Sequence, residues 1–300
     1  ITGGLIGIEV WNCEDDAIIL LNSDVITGAE TGVFINNFEG YNSDATRSSN
    51  VVIDGVQIAN SLNHGVRILD SPSSTNHNTV TAEIKNADIS DDDKSGSGIS
   101  VEGSMATANI HDNLTTILGN DVGILIDAGN AIITDNTIKE NNTGIKFENG
   151  GTGSANENNI FDNDISGVEN TTGNDVDATY NWWGDSSGPA GEGFGSGDNV
   201  SVDVTFCPWL GAANNGIDLI VTTGVVLNIS TEEVFCSIQD AIDDTDTDDG
   251  DTIKILVAEY SLESQLNVTK GITLTGEGRD NTIVRISDAW FNTNGQDAIV

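Results

Sequence analysis

Six times in the first half of this chain a glycine is followed by Ile or Val, then any residue, then a further apolar one. The six are Gly7-Ile8-Glu9-Val10, Gly32-Val33-Phe34-Ile35, Gly65-Val66-Arg67-Ile68, Gly98-Ile99-Ser100-Val101, Gly123-Ile124-Leu125-Ile126 and Gly144-Ile145-Lys146-Phe147. From Gly32 onward the glycines stand 33, 33, 25 and 21 residues apart, a period that belongs to stacked repeats. Second short strands lie between them, such as Val51-Val52-Ile53, Ala131-Ile132-Ile133 and Asn159-Ile160-Phe161. Apolar and polar residues alternate at the strand period, not the helical one, and Asn, Asp and Gly punctuate the runs as left-handed turns require. No single repeat can bury its apolar face alone, so the coils must stack. The pattern predicts an all-β right-handed parallel β-helix.

Composition agrees with a solenoid. Gly at 34 residues, three Pro and one Met favour strands and tight turns over helices, and an apolar fraction of 37% suffices where stacked coils share one narrow core. No apolar run reaches the length of about 18 residues that a membrane-spanning helix needs. Forty-eight carboxylates against ten basic residues give a net charge of −38. That surface repels nucleic acid, anionic lipid and acidic polysaccharide, so neither nucleic acid nor membrane insertion is expected; it keeps a long fibre soluble, as a saline medium would also favour.

Two halves of the chain differ in kind. The repeats end at Asn181-Trp182-Trp183-Gly184-Asp185-Ser186-Ser187-Gly188-Pro189, and Cys207-Pro208-Trp209-Leu210 follows. Beyond it, Ser237-Ile238-Gln239-Asp240-Ala241-Ile242, Gly250-Asp251-Thr252-Ile253, Tyr260 and Ile272-Thr273-Leu274-Thr275-Gly276 read as another beginning. Residues 98–189 resemble the closing coils of the pectate-lyase-like, right-handed β-helix repeat family of large microbial surface proteins, and residues 237–286 resemble its opening. The resemblance implies an aromatic cap of Trp182, Trp183, Pro208 and Trp209, and a short capping helix near 237–244. It implies a fold and leaves function open, since that fold hosts lyases, hydrolases, epimerases, adhesins and inert stalks. The expected organisation is 1–190, closing coils with the cap; 191–236, loop and junction; and 237–300, the opening cap and first coils of the next β-helix.

Candidate sites follow from residue type. Asp244, Asp246, Asp248, Asp249 and Asp251 alternate carboxylates before and after a Gly as calcium loops do, although their spacing departs from the EF-hand pattern; calcium is the metal considered, and no cofactor is required. Cys207 and Cys236 flank the junction and could pair in an oxidising compartment, or stay with Cys13 as buried thiols. Six Asn-x-Ser/Thr sequons occur, at Asn113, Asn141, Asn170, Asn199, Asn228 and Asn267. Asn63-His64-Gly65-Val66-Arg67-Ile68 shares elements with polygalacturonases, but as one coil rather than two sites, and His64, His77 and His111 read as surface or stack residues.

No enzymatic constellation assembles. Bases are sparse, and among so many acids a facing pair is no evidence for glycosidase chemistry. The sequence therefore points to a non-enzymatic, structural protein at the cell surface or outside the cell. Its partners would be copies of itself, joined head to tail through Ile1, Leu5 and Ile8 at one end and Ile299 and Val300 at the other. The alternatives are an adhesin or glycan-binding module whose partners are surface glycans, and, third, a polysaccharide lyase or hydrolase.

Overall fold

The structure is a computed structural model. It describes the chain apart from residues 12–17, 37–48, 71–78, 92, 113–115, 194, 217–221, 258, 263–264, 279–280, 287–290 and 293–300. Two units emerge: Ile1–Phe206 with Ala212–Ile220, and Cys207–Gly211 with Val221–Val300.

The first unit is a three-faced parallel β-helix. Each turn contributes one strand per face, as in Ser97–Glu102, Ala106–His111 and Thr116–Leu118. Successive turns pair in parallel into sheets of nine, eight and six strands among the described residues. Register holds like residues in columns. On the first face Ile8, Val33, Val66, Ile99, Ile124, Ile145 and Val168 pair in succession. On the third face Ile26, Ile58, Ile89, Ile117, Ile138 and Ile160 are all buried. These columns meet inside as a narrow apolar core, and burial of each Ile contributes about 1.5–3 kcal/mol.

The glycines of the repeat have a steric cause. A Cβ at Gly65 would lie 2.5 Å from the carbonyl oxygen of Gly98 and 2.6 Å from Cγ2 of Ile89. At Gly98 it would lie 2.7 Å from the Gly123 carbonyl, and at Gly123 2.5 Å from that of Gly144. The first face thus begins, on every turn, at a corner where the next turn passes too close for any side chain. The column ends at Gly167, where a Cβ would meet Cζ3 of Trp183 at 3.2 Å. Trp183 is fully buried there, and its carbonyl accepts from the Asp198 amide at 2.8 Å.

Buried asparagines line this glycine corner and hold the corner between the second and third faces. Asn120 donates from backbone and side chain to Asn141 Oδ1, Asn141 does the same to Asn163, and Asn163 to Asp198 Oδ2. A second ladder runs Asn136, Asn158, Asn181. Asn181, the first residue of the Trp-Trp motif, closes this ladder on the carbonyls of Ala155 and Ala178. Burial pushes the Asp198 carboxyl above its ordinary value, against the Asn163 hydrogen bonds that lower it.

The second unit carries the helix Ile238–Asp243, whose N-cap Ser237 accepts from the Asp240 amide at 3.0 Å. Ile238, Ala241 and Ile242 are buried. Thr252–Ile255, Glu259–Leu262 and Leu266–Asn267 then pair in parallel with Thr273–Thr275, Ile283–Ile286 and Phe291–Asn292, one further turn of a three-faced coil.

Residues 191–236 depart from the expected loop. Gly197–Val200 and Val204–Thr205 continue the first two faces of the first stack beyond 190, because their Val200 and Val204 carry on its buried columns. Val226–Asn228 pairs antiparallel with both Val234–Phe235 and Thr252–Ile255, so the strands are not all parallel at this junction. The Gly98→Ala variant should lose about 1–3 kcal/mol of stability, the usual cost of overpacking, read from urea unfolding followed by tryptophan fluorescence.

Candidate functional site

The most buried ionic cluster among the described residues lies on the outer side of the first face, across three turns. Parallel register puts Phe34, Arg67 and Ser100 side by side and sets Leu69 against Glu102. Arg67 grips Glu102 through two hydrogen bonds, Nε to Oε1 at 2.9 Å and Nη2 to Oε2 at 2.6 Å. Ser100, fully buried, donates its hydroxyl to Oε1 at 2.7 Å. The Arg67 guanidinium stands 5.5 Å from the centre of the Phe34 ring, and His64 Nε2 is 4.0 Å from Glu102 Oε1.

Charge settles what the cluster can do. Burial drives Glu102 upward, but the hydrogen bonds of Arg67 and Ser100 with the Arg67 charge hold its carboxyl below the ordinary range. Burial pushes His64 down, partly offset by Glu102, so its imidazole is neutral near pH 7. Glu102 is thus ionised and offers no proton to donate, Arg67 is neutralised, and Ser100 is committed as a donor. His64 is left as the group able to accept a proton, and its buried Nδ1 has no partner among the described residues. The arrangement is a clamp tying three turns together at one fixed charge pair.

The residues singled out from sequence fall in different places. The expected calcium loop is not supported, since Asp244, Asp249 and Asp251 spend carboxylate oxygens on backbone amides and on the Asn228 side chain. Asp244 Oδ1 accepts from the Asp246 amide at 2.9 Å, Asp249 Oδ1 from Gly271 at 2.7 Å, and Asp251 Oδ2 from Asp248 and Asn228 at 3.0 Å. Among the described residues no three His, Cys, Asp or Glu side chains are grouped to hold a metal ion. Cys207 and Cys236 are joined as a disulfide with Cα atoms 5.5 Å apart; Cys13 and His77 lie outside the described residues. Trp182 bridges Asn159 and Trp183 is buried in the first unit, whereas Pro208 and Trp209 belong to the second.

Three sequons are also corrected. Asn141, Asn170 and Asn228 are buried, with amides donating to Asn163, Asp203 and Thr247 respectively, which leaves no room for a glycan. Asn199 and Asn267 are exposed, and Asn113 lies outside the described residues. At the expected assembly ends, Ile1 and Leu5 are exposed and Ile8 is half-buried, while Ile299 and Val300 lie outside the described residues. The Arg67–Glu102 clamp escaped the sequence reading. Aligning coils by the 33-residue step between Gly65 and Gly98 would have set Arg67 beside Ser100 and within reach of Glu102.

Residues 3–191 match the family of the periplasmic copper-binding protein NosD. The chain belongs to that family. No curated protein and no solved structure matches it. Membership agrees with the parallel β-helix, and a periplasmic family places the chain outside the cytoplasm. No described helix is long and apolar enough to cross a membrane.

Arg67→Ala would leave Glu102 buried and unpaired. The loss should be about 2–3 kcal/mol, below a fully buried pair because Arg67 is partly exposed. Glu102 is held low in the fold, so its stabilisation is present above the ordinary carboxylate pKa and is lost as pH falls through the folded value. Urea unfolding from pH 7 to pH 3 should therefore show a smaller acid-dependent loss in Arg67→Ala than in the parent.

Proposed function

We propose that the chain is an extracytoplasmic scaffold module, one period of a β-helical stack extended by turn-on-turn addition of further copies. The supporting observation is the state of the first turn. Its core-facing side chains Ile8, Ile19 and Leu21 are only half-buried, whereas their counterparts one turn on, Val33, Val51 and Ile53, are closed off. Ile6–Trp11 and Ile18–Asn22 stand at the edges of their sheets. Ile1 to Gly3 runs along Val25–Thr27, with Thr2 bridging Thr27, in the place of a preceding turn's third strand.

An edge of this kind is a template for strand addition, with main-chain hydrogen bonds and a shared apolar face supplying the affinity. The second unit supports a matching donor. Its last described turn, Thr273–Thr275 with Ile283–Ile286, also stands at sheet edges among the described residues. A cavity of about 410 Å³ beside it is lined by Ile255, Leu274 and Val284. A head-to-tail contact between unlike ends does not close on itself, so it builds a filament.

Copper, which the family's description names, is not part of this proposal. Copper is held by imidazole, thiolate and thioether donors. Among the described residues His64 faces Glu102, His111 lies between Asp112 and Glu83, Cys207 and Cys236 are tied to each other, and Met105 is the single thioether. The donors that are described do not fit a copper site.

Sedimentation over a concentration series tests the reading. The parent chain should associate end to end. Ile8→Lys, which sets a charge on the open end, should stay monomeric, while Leu20→Lys on the lateral surface should associate as the parent does. A parent chain that stays monomeric at every concentration would refute it.

A further inference from the structure

The corner between the second and third faces carries a groove that the clamp and the stacking edges do not use. Lys85, His111 and Thr134 are register partners on successive turns, so the residues that follow them form a column. Asn86, Asp112 and Asp135 are those residues, all in the left-handed conformation at φ 50°, 53° and 57°. Adjacent members are one turn apart, about 4.8 Å. Thr137 and Asn159, paired in register on the third face, form the floor.

The far wall is the segment Asn214–Gly216, and its attachment is specific. The Asn159 side-chain amide pairs reciprocally with the Asn214 backbone, at 2.7 Å and 2.8 Å. Asn214 Nδ2 donates to Asp135 Oδ1 at 3.0 Å and to the Glu157 carbonyl at 2.6 Å. Together these groups enclose a cavity of about 560 Å³, within the size of small-molecule sites.

We infer that this groove binds an uncharged oligosaccharide lying along the stack axis. The lining is Asn, Asp, Thr and Gly, without an apolar side chain to hold a lipid and without a cation to hold a phosphate or uronate. Asp112 and Asp135 are acceptors that call for hydroxyl or amide donors, and the net charge of −38 repels polyanions. Each carboxylate keeps a second oxygen beyond its protein contact, Oδ1 of Asp112 and Oδ2 of Asp135, to accept a sugar hydroxyl. The acceptors repeat once per turn, a spacing comparable to the length of one sugar ring in an extended chain. His111 Nδ1, 2.9 Å from Asp112 Oδ2, fixes that carboxylate at the rim. The inference stands on the groove alone and is independent of end-to-end stacking.

Calorimetric titration of the full chain tests it, with cellohexaose, mannohexaose and chitohexaose (fully N-acetylated) as uncharged probes, trigalacturonate as the anionic probe and spermidine as the cationic one. At least one uncharged hexasaccharide should bind and trigalacturonate should not. Thr137→Arg, which fills the floor, should weaken that binding at least about tenfold with the melting temperature retained. If that variant fails to fold, Asp112→Asn at the exposed rim carries the comparison and should weaken binding in the same direction. Absence of binding by every uncharged probe, binding untouched by the substitutions, or binding of spermidine in their place would overturn the inference.

Discussion

The close approach of successive turns at the glycine corner governs the first unit. A parallel stack keeps its register only if every turn enters the first face at the same depth. At Gly65, Gly98 and Gly123 that depth leaves no room for a Cβ against the carbonyl of the next turn. The isoleucine of the third face closes on the same point, since Cγ2 of Ile89 and of Ile117 is within 3.0 Å of where such a Cβ would lie. The apolar columns follow from this alignment. A turn displaced by one residue would turn each column from core to solvent.

Polar order is layered on that steric frame. Buried amides cost free energy unless paired, and the ladders Asn120–Asn141–Asn163 and Asn136–Asn158–Asn181 pair each with the turn that follows. Asparagine suits the position because one amide carries both donor and acceptor, so a ladder can propagate. Asp198 ends one ladder because its Oδ2 takes both Asn163 donors and a carboxyl lacks the amide NH2 that would carry the ladder further. The Arg67–Glu102 clamp adds a lateral tie on the outer side, where Ser100 sits directly beneath the guanidinium column.

Much of the frame was legible in the sequence because it is periodic. Gly-Ile and Gly-Val pairs mark the corner and three-residue alternation marks the faces, while the helix Ile238–Asp243 was implied by the resemblance of Ser237-Ile238-Gln239-Asp240-Ala241-Ile242 to a family's opening. Asparagine carried less information, since one residue type serves left-handed turns at Asn86, buried ladders at Asn141 and an accessible sequon at Asn199. Only depth in the stack separates them, and depth is set by register. The aspartates from Asp244 to Asp251 show the same limit, because alternating carboxylates cap turns as readily as they bind cations. The clamp and the groove unite residues from different turns, so they are visible only once the irregular steps of 33, 25 and 21 residues are aligned.

Under the proposed end-to-end assembly, a turn of another copy covers the open edge of Ile6–Trp11 and Ile18–Asn22. Hydrogen exchange read by mass spectrometry, at low and at high protein concentration, addresses it directly. Amides of Thr143–Glu148 and Ser166–Asn170, deep in the stack, should be protected at both concentrations. Amides of Ile6–Trp11 and Ile18–Asn22 should exchange readily when dilute and gain protection when concentrated. Exchange in those two strands that is independent of concentration would contradict the account.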